Sequence, residues 1–266
     1  MEGLSKRRDF AVALCREAGA VAMGYFRKRG ELVVDKKGAQ DWVSEADRNV
    51  EAFIREKIAD TWPQDGVYGE EHDAKSGSSG FDWVIDPIDG TTNFVNGIPA
   101  WTIVLAGASE GRTQLGVIHD PNADEMFVAV RGGGATLNNA PMHVATQVPL
   151  EAGTVAVGYS NRVEARNIQP VIAALIERGA MFYRNASGAL SIAYVAAGRL
   201  LGYLEEHMNA WDCLAGQFMV EEAGGRIETQ DAGQMIRSGG RVVVGAPEVF
   251  ETLLAIADDS WGAPEI

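Results

Sequence analysis

The run Asp86-Pro87-Ile88-Asp89-Gly90-Thr91-Thr92-Asn93-Phe94 sets two carboxylates three residues apart across a proline, at the end of the apolar stretch Phe81–Ile85. Pro87 restricts the bend, so Asp86, Asp89 and the carbonyl of Ile88 can converge on one point. Gly90 lets the backbone approach a ligand closely. Thr91 and Thr92 are expected to open a helical turn whose free N–H groups face the same point and suit an anion. Carboxylate and carbonyl oxygens beside exposed amides fit a hard cation that holds a phosphate. Alone, the same run also reads as an aspartate-rich turn with a helix cap.

Three further acidic clusters bear on that choice. Asp41-Trp42-Val43-Ser44-Glu45-Ala46-Asp47 gathers carboxylates around a helix start, and Gly69-Glu70-Glu71-His72 follows the apolar pair Val67-Tyr68. Ala210-Trp211-Asp212-Cys213-Leu214-Ala215-Gly216 puts one Asp at the start of a helix rich in small residues. Singly, each reads as a cap or a solvated loop. All-oxygen donors favour Mg²⁺ or Mn²⁺ over zinc. His72, His119, His143 and His207 show no i,i+4 pairing of the zinc-helix kind and are expected to be structural or surface residues. Such a cation would suit phosphate-ester hydrolysis, in which anionic oxygens repel hydroxide and a catalyst must neutralise charge and supply a nucleophile near neutral pH.

The elements that must position these residues are legible in outline. Phe10, Leu14, Ala18, Val21 and Tyr25 recur at helical spacing, with Arg27-Lys28-Arg29 and Gly30 closing the helix. A second helix is predicted from about Ser44 to Thr61, with Ser44 as cap and Asp47 three residues in. Trp101–Ala106, Thr113–Ile118 and Glu125–Val130 predict an antiparallel meander broken at Gly111 and Pro121-Asn122. Beyond residue 150 strands and helices alternate: strands near 154–157, 181–184, 201–205, 226–228 and 242–244, and helices near 162–177, 190–197, 210–223 and 247–257. An antiparallel first half and an α/β-alternating second half imply two sheets layered with helices, an α/β (α+β layered) fold.

Charge and composition exclude several classes. Lys and Arg number 23 against 37 Asp and Glu, a net charge of −14 over 266 residues. That argues against nucleic acid or an anionic membrane surface as a non-specific partner, though a bound metal can reverse the sign locally for a small anionic substrate. The uncharged window Gly90–Ser109 contains Asn93, Asn96, Gly97 and Pro99, so no membrane span is expected. Lys6-Arg7-Arg8 before Phe10–Leu14 has the outline of a secretory leader, but Arg16 and Glu17 cut the apolar run short. Cys15 and Cys213 are too few for a disulfide framework or a Cys-based zinc site, and a reduced, cytoplasmic setting is the expectation.

The four acidic segments, in this order and spacing, resemble the motifs of the inositol monophosphatase family. These are magnesium-dependent, lithium-sensitive phosphatases with an alternating α/β/α/β/α sandwich of the inositol monophosphatase and sugar phosphatase type. Asp86–Phe94 matches D-P-[ILM]-D-G-T-x-x-[FY], and Ala210–Gly216 matches W-D-x-x-[AG]-[AG]. Gly69-Glu70-Glu71 matches the glutamate motif and Asp41–Asp47 the upstream D-x-V-[ST]-x-x-D. The resemblance implies that Glu70, Asp86, the Ile88 carbonyl, Asp89 and Asp212 ligate two or three Mg²⁺, for which Mn²⁺ can substitute. It also implies that Asp47 orients the Thr91 hydroxyl, and that Thr91 and Glu70 position and deprotonate the attacking water.

For the substrate, the resemblance implies contacts from Ile88, Asp89, Gly90, Thr91, Arg184, Ser187, Gly188, Ala189, Glu205 and Asp212. Ser187-Gly188-Ala189 departs from the family's Gly-[ST]-Ala, with the order of small residues exchanged. Glu205 matches the acidic residue that binds inositol hydroxyls. The adjacent pair Glu205-Glu206 would favour a polyol or a cationic alcohol such as histidinol over a nucleotide. The expected activity is hydrolysis of inositol monophosphate or a similar small polyol or alcohol phosphate. The alternatives are a histidinol-phosphate, fructose-1,6-bisphosphate or 3′-phosphonucleotide phosphatase and, in another class, a non-catalytic regulatory, protein-binding member. The chain is expected to be one compact unit of two halves, 1–150 with most metal ligands and 151–266 with Asp212 and the substrate-selecting residues. A homodimer is expected by the same analogy. Asp89→Asn is expected to lower turnover by orders of magnitude while sparing the fold.

Overall fold

In a computed structural model, which describes residues 2–38 and 41–263, the first layer is a pair of helices, α1 (Glu2–Arg27) and α2 (Glu45–Thr61). Ala11, Leu14, Ala18 and Ala22 of α1 are buried with Val50, Ile54 and Ile58 of α2. Cutting one of these, Ile54, back to Ala would cost about 2–5 kcal/mol. Between the helices lies a two-stranded antiparallel ribbon, β1 (Val34–Gly38) and β2 (Asp41–Ser44), which the sequence reading left unassigned. The side chain of Asp41, at the head of the first acidic cluster, lies outside the described residues. Helix α2 starts where its cap predicts. Ser44 Oγ accepts the Ala46 N–H at 3.1 Å, and Asp47 Oδ2 accepts the Ser44 N–H at 2.8 Å.

The second layer is a seven-stranded sheet laid down in chain order: β3 (Gly66–Gly69), β4 (Phe81–Asp89), β5 (Thr102–Ser109), β6 (Arg112–Asp120), β7 (Glu125–Val130), β8 (Gly134–Leu137) and β9 (Ala140–Pro141). Strands β3 and β4 are parallel and every later pair is antiparallel, the meander read from the sequence. A short helix, α3 (Thr91–Asn96), interrupts it after β4. Because successive side chains point to opposite faces, Trp83, Ile85, Ile103, Leu105 and Val117 pack under α1 and α2, whereas Val84, Val104, Ala106 and Ile118 face the other way.

That other face meets a layer made by α5 (Gly188–Ala196) and α6 (Ala210–Glu222), which follow α4 (Ile168–Glu177) in the chain. Beyond it stands a five-stranded sheet of β10 (Thr154–Val157), β11 (Met181–Tyr183), β12 (Gly202–Met208), β13 (Arg226–Ile227) and β14 (Gly240–Gly245), in the order β11-β10-β12-β14-β13. Strand β10 runs parallel to both its neighbours and β14 antiparallel to both of its own. Alternation works here too. Ala156, Tyr203, Val242 and Val244 face α5 and α6, while Val155, Leu204 and Val243 pack under α4 and α8 (Phe250–Trp261). The result is the α/β/α/β/α stack expected of the sequence, and among the described residues no helix is long and apolar enough to cross a membrane.

Two helix starts and one whole helix differ from the sequence reading. Helix α4 starts at Ile168, not near Arg162. Pro170 belongs in a first turn, where its missing N–H has no intrahelical partner to lose, and it marks the true start. Helix α8 begins at Phe250, since Pro247 lies in the preceding turn. Helix α7 (Ala232–Ser238) was not anticipated; Asp231 caps it, accepting the Gln234 N–H at 2.8 Å.

Candidate metal centre and substrate cleft

The predicted site residues gather where strands from the two sheets end. Strand β3 stops at Gly69 and hands over to Glu70, and Asp86 and Asp89 lie at the C-terminal end of β4. Pairing of β4 with β5 runs regularly to Asp86↔Val104 and resumes at Asp89↔Thr102. Two residues, Pro87 and Ile88, therefore oppose the single Ile103. Pro87 has no N–H to give to the ladder, so a bulge forms there and re-aims the strand end. The Ile88 N–H turns back to Asp86 Oδ1 at 2.9 Å. At Gly90 the chain takes φ +95°, and a Cβ would lie 2.9 Å from the Ala100 carbonyl oxygen, so glycine is required on both counts.

Asp212 arrives from the other side, in the first turn of α6, where its Oδ2 accepts the Asn209 N–H at 3.2 Å. Glu70, Asp86 and Asp212 each present an oxygen within 4.8 Å of the others. Asp89 stands beside this trio with its carboxylate turned to the second half of the chain. Its Oδ2 accepts the Ser187 hydroxyl and, at 3.1 Å, the Ala189 N–H, and its Oδ1 accepts the Gly188 N–H at 3.1 Å. The exchanged order of Ser187 and Gly188 thus places a hydroxyl and two amides on a site carboxylate at the start of α5. This changes the expectation for Asp89→Asn. An amide there would turn one N–H donor against another, so a loss of stability is the expectation the geometry supports.

Asp47, in the first turn of α2, is buried under the same point. The Thr91 Oγ lies 3.0 Å from Asp47 Oδ1 and 3.2 Å from the Ile88 carbonyl oxygen. Its single proton can serve only one of them at a time. The Ser44 hydroxyl donates to Asp47 Oδ2 at 2.5 Å, so the helix cap and the threonine share one carboxylate.

Electrostatics follow from this crowding. Burial, then the charges of Glu70, Asp89, Asp212 and Asp47, push the Asp86 pKa well above the usual carboxylate range. Burial and then Asp212 raise Asp89 to about 7. Asp212 is raised by burial against the pull of Arg162, whose guanidinium lies 3.8 Å away. Asp47 is raised by burial against its hydrogen bonds from Ser44 and Thr91. Buried like charges are costly unless something compensates them. Hard oxygen donors so disposed fit a divalent cation such as Mg²⁺, which would remove the repulsion.

Next to the trio opens a cleft of about 490 Å³. Glu70, Asp89, Gly90, Thr91 and Asp212 line it, together with Arg184, Ser187, Gly188 and Glu205. Glu205 is buried and accepts a hydrogen bond from the Tyr203 hydroxyl. Burial raises its pKa to about 7, with the Tyr203 bond opposing. Glu206 points away, as strand alternation demands, and binds Asn167 Nδ2 at 2.8 Å. The adjacent glutamates therefore do not act as a pair, and only the first lines the cleft. Arg184 donates to the Tyr159 carbonyl at 3.0 Å.

Sequence reasoning missed Arg162, Tyr159 and Tyr203, all of which line the cleft. Residues 158–162 follow the C-terminal end of β10, a strand with parallel neighbours on both sides, and loops in that position are where ligands bind in α/β sheets. Assigning 162–177 to helix hid that signal.

Fold and site together define a layered α/β protein with a buried carboxylate centre able to hold a metal ion beside an open cleft. The sequence profile of the inositol monophosphatase family matches residues 4–261, and the chain belongs to that family. It is 35% identical over 251 residues to the Nus factor SuhB of Haemophilus influenzae, covering 92% of this chain and 93% of that one. It is also 35% identical over 253 residues to the inositol-1-monophosphatase of Mesorhizobium japonicum, with 91% and 92% covered. The crystal structure of the extragenic suppressor protein suhB from Bartonella henselae superimposes with a TM-score of 0.87 at 31% identity, over 93% of this chain and 96% of that one.

Proposed function

We propose that this chain is a Mg²⁺-dependent phosphomonoesterase that hydrolyses inositol monophosphate or a similar small polyol phosphate. The observation that carries the reading is the oxygen trio of Glu70, Asp86 and Asp212 beside the Asp47–Thr91 hydrogen bond. Glu70, Asp86, the Ile88 carbonyl, Asp89 and Asp212 would hold two or three Mg²⁺, with Mn²⁺ as a substitute. Bound there, the ions would neutralise the phosphate and lower the pKa of the attacking water. Asp47 accepts the Thr91 proton, leaving the Thr91 oxygen free to accept a hydrogen bond from that water and fix its line of attack. Glu70 takes the water's second proton as general base.

On the leaving-group side, Glu205 accepts hydroxyl protons of the alcohol, and Arg184 and the segment Ser187-Gly188-Ala189 close the wall. Inhibition by lithium, a homodimer of two such chains and a cytoplasmic location belong to the same proposal. Phosphate release from inositol-1-phosphate, histidinol phosphate, fructose 1,6-bisphosphate and adenosine 3′,5′-bisphosphate, with Mg²⁺ and with chelator, tests it. Fastest metal-dependent release from inositol-1-phosphate is expected, and fastest release from the nucleotide would refute the substrate class.

A second reading is favoured by one observation, the name Nus factor borne by a relative at 35% identity. In it the chain is a regulatory, protein-binding member that keeps the scaffold. No metal-dependent turnover on any of the four phosphates would select it. In that case the expectation from net charge, that nucleic acid is no partner, needs a direct binding measurement.

A further inference from the structure

Beneath the loop that carries Glu70 lies a glutamate the phosphatase chemistry does not use. Glu51, on α2 one turn after Asp47, is completely buried. Its Oε2 accepts the Glu71 N–H at 2.7 Å and its Oε1 accepts Arg55 Nε at 2.6 Å, with His72 Nδ1 3.4 Å from the same oxygen. Arg55 continues the connection, donating to the carbonyl oxygens of His72 and Asp73 at 3.1 Å each. A carboxylate and a guanidinium one helical turn apart thus bind three consecutive backbone positions that follow Glu70.

The strand end is shaped to receive them. A Cβ at Gly69 would lie 2.3 Å from Glu51 Oε1, so glycine at 69 is what lets the carboxylate rise under the loop. A buried carboxylate is costly to desolvate, and pairing it rarely adds net stability. Its most economical use is geometric: metal affinity and general-base catalysis both fall steeply when a ligand shifts by about 1 Å. With Asp47 bound to Thr91 and Glu51 bound to the Glu70 loop, one face of α2 registers two parts of the centre against each other.

We infer that Glu51 and Arg55 are positioning residues that hold Glu70 in place for the cation and the attacking water. The inference rests on the proposed metal centre. The test compares wild-type protein with Glu51→Gln, Arg55→Lys and Gly69→Ala, which disturb the clamp by different chemistry. Glutamine turns an amide toward Arg55 or Glu71, lysine loses the fork that reaches two carbonyls, and the alanine methyl pushes Glu51 away. Arg7→Ala serves as control, because Arg7 pairs with the buried Asp65 through Nε and Nη2, at the opposite end of β3 from Glu70.

Mg²⁺ affinity is read by calorimetry on the metal-free proteins, thermal midpoint by circular dichroism, and kcat and KM at saturating Mg²⁺. For the three clamp variants we expect Mg²⁺ affinity to fall tenfold or more and kcat to fall with it, while KM stays within about twofold. Arg7→Ala should lower the midpoint and leave Mg²⁺ affinity unchanged. Clamp variants that fold and bind Mg²⁺ as the wild type does, or that lose no more affinity than Arg7→Ala, overturn the inference. Wild-type protein that binds Mg²⁺ but hydrolyses nothing overturns only the phosphatase reading, whereas wild-type protein that binds no Mg²⁺ overturns the metal centre and this inference together.

Discussion

Replacing Glu205 by Gln should stabilise the metal-free protein by an amount that grows with pH. Glu205 is 6% exposed, and burial moves its pKa from 4.5 to about 7 against the bond from Tyr203. The folded protein thus keeps a proton that the unfolded chain has already released. Stability attached to this group is fully present below the unfolded value and is lost as pH rises from 4.5 to about 7. At about 1.4 kcal/mol per pH unit, the loss is about 3 kcal/mol near pH 8 and about 1 kcal/mol near pH 5.

Glutamine carries no charge and still offers an oxygen to the Tyr203 hydroxyl. The variant should therefore gain about 2 kcal/mol more at pH 8 than at pH 5, or about 4 °C in Tm for a chain of this size. Scanning calorimetry of both proteins in chelator, at the two pH values, measures the difference. A variant equal to wild type at both values, or less stable at the higher one, would refute the reasoning. Arg162 and Arg184, which also lower this pKa, would then be neutralising the charge in full. On the proposed function, the same substitution raises KM for a polyol phosphate more than it lowers kcat.

The carboxylates of the centre separate in similar tests. Asp86→Asn keeps an acceptor for the Ile88 N–H and removes a like charge. It should leave Tm in chelator unchanged or higher, while calorimetry finds Mg²⁺ affinity lowered at least about tenfold. Asp89→Asn should lower Tm, because one donor among Ser187, Gly188 and Ala189 loses its acceptor at about 1–3 kcal/mol; an unchanged Tm in thermal denaturation would contradict the hydrogen-bond arrangement. Thr91→Val should lower kcat by about 10²–10⁴ with Mg²⁺ affinity preserved, and single-turnover kinetics beside calorimetry will show whether the two effects divide that way.

The residues legible in the sequence are those whose role is local. Ser44 and Asp47 announce the cap of α2 because three-residue spacing is what a capping box requires, and Pro87 announces a bend at the strand end, though not that β4 resumes pairing at Asp89. The meander was readable from its turn residues. What escaped depends on contacts between distant parts of the chain. Glu51 sits in an ordinary helical pattern, and only the fold brings it under residues 71–73. Tyr203 looks like any aromatic strand residue until its hydroxyl meets Glu205. At Arg162 the sequence pattern of α4 continues back past Pro170, so loop and helix look alike there. The adjacent Glu205 and Glu206 looked like a pair, though a strand sends neighbours to opposite faces.

The bond set between Asp89 and the segment Ser187–Ala189 has a consequence for how the molecule is made. Asp86 and Asp89 leave the ribosome early, and Asp212 follows more than a hundred residues later. Until α5 and α6 dock, Asp89 lacks the donors of Ser187, Gly188 and Ala189 and keeps the Thr102 hydroxyl at 3.4 Å, and the trio lacks its third oxygen. The first half, emerging alone, offers a cation only an incomplete set of ligands. On the proposed metal centre, tight capture of a cation would require both halves of the chain, and metal retention would serve as a chemical certificate that the two sheets have met.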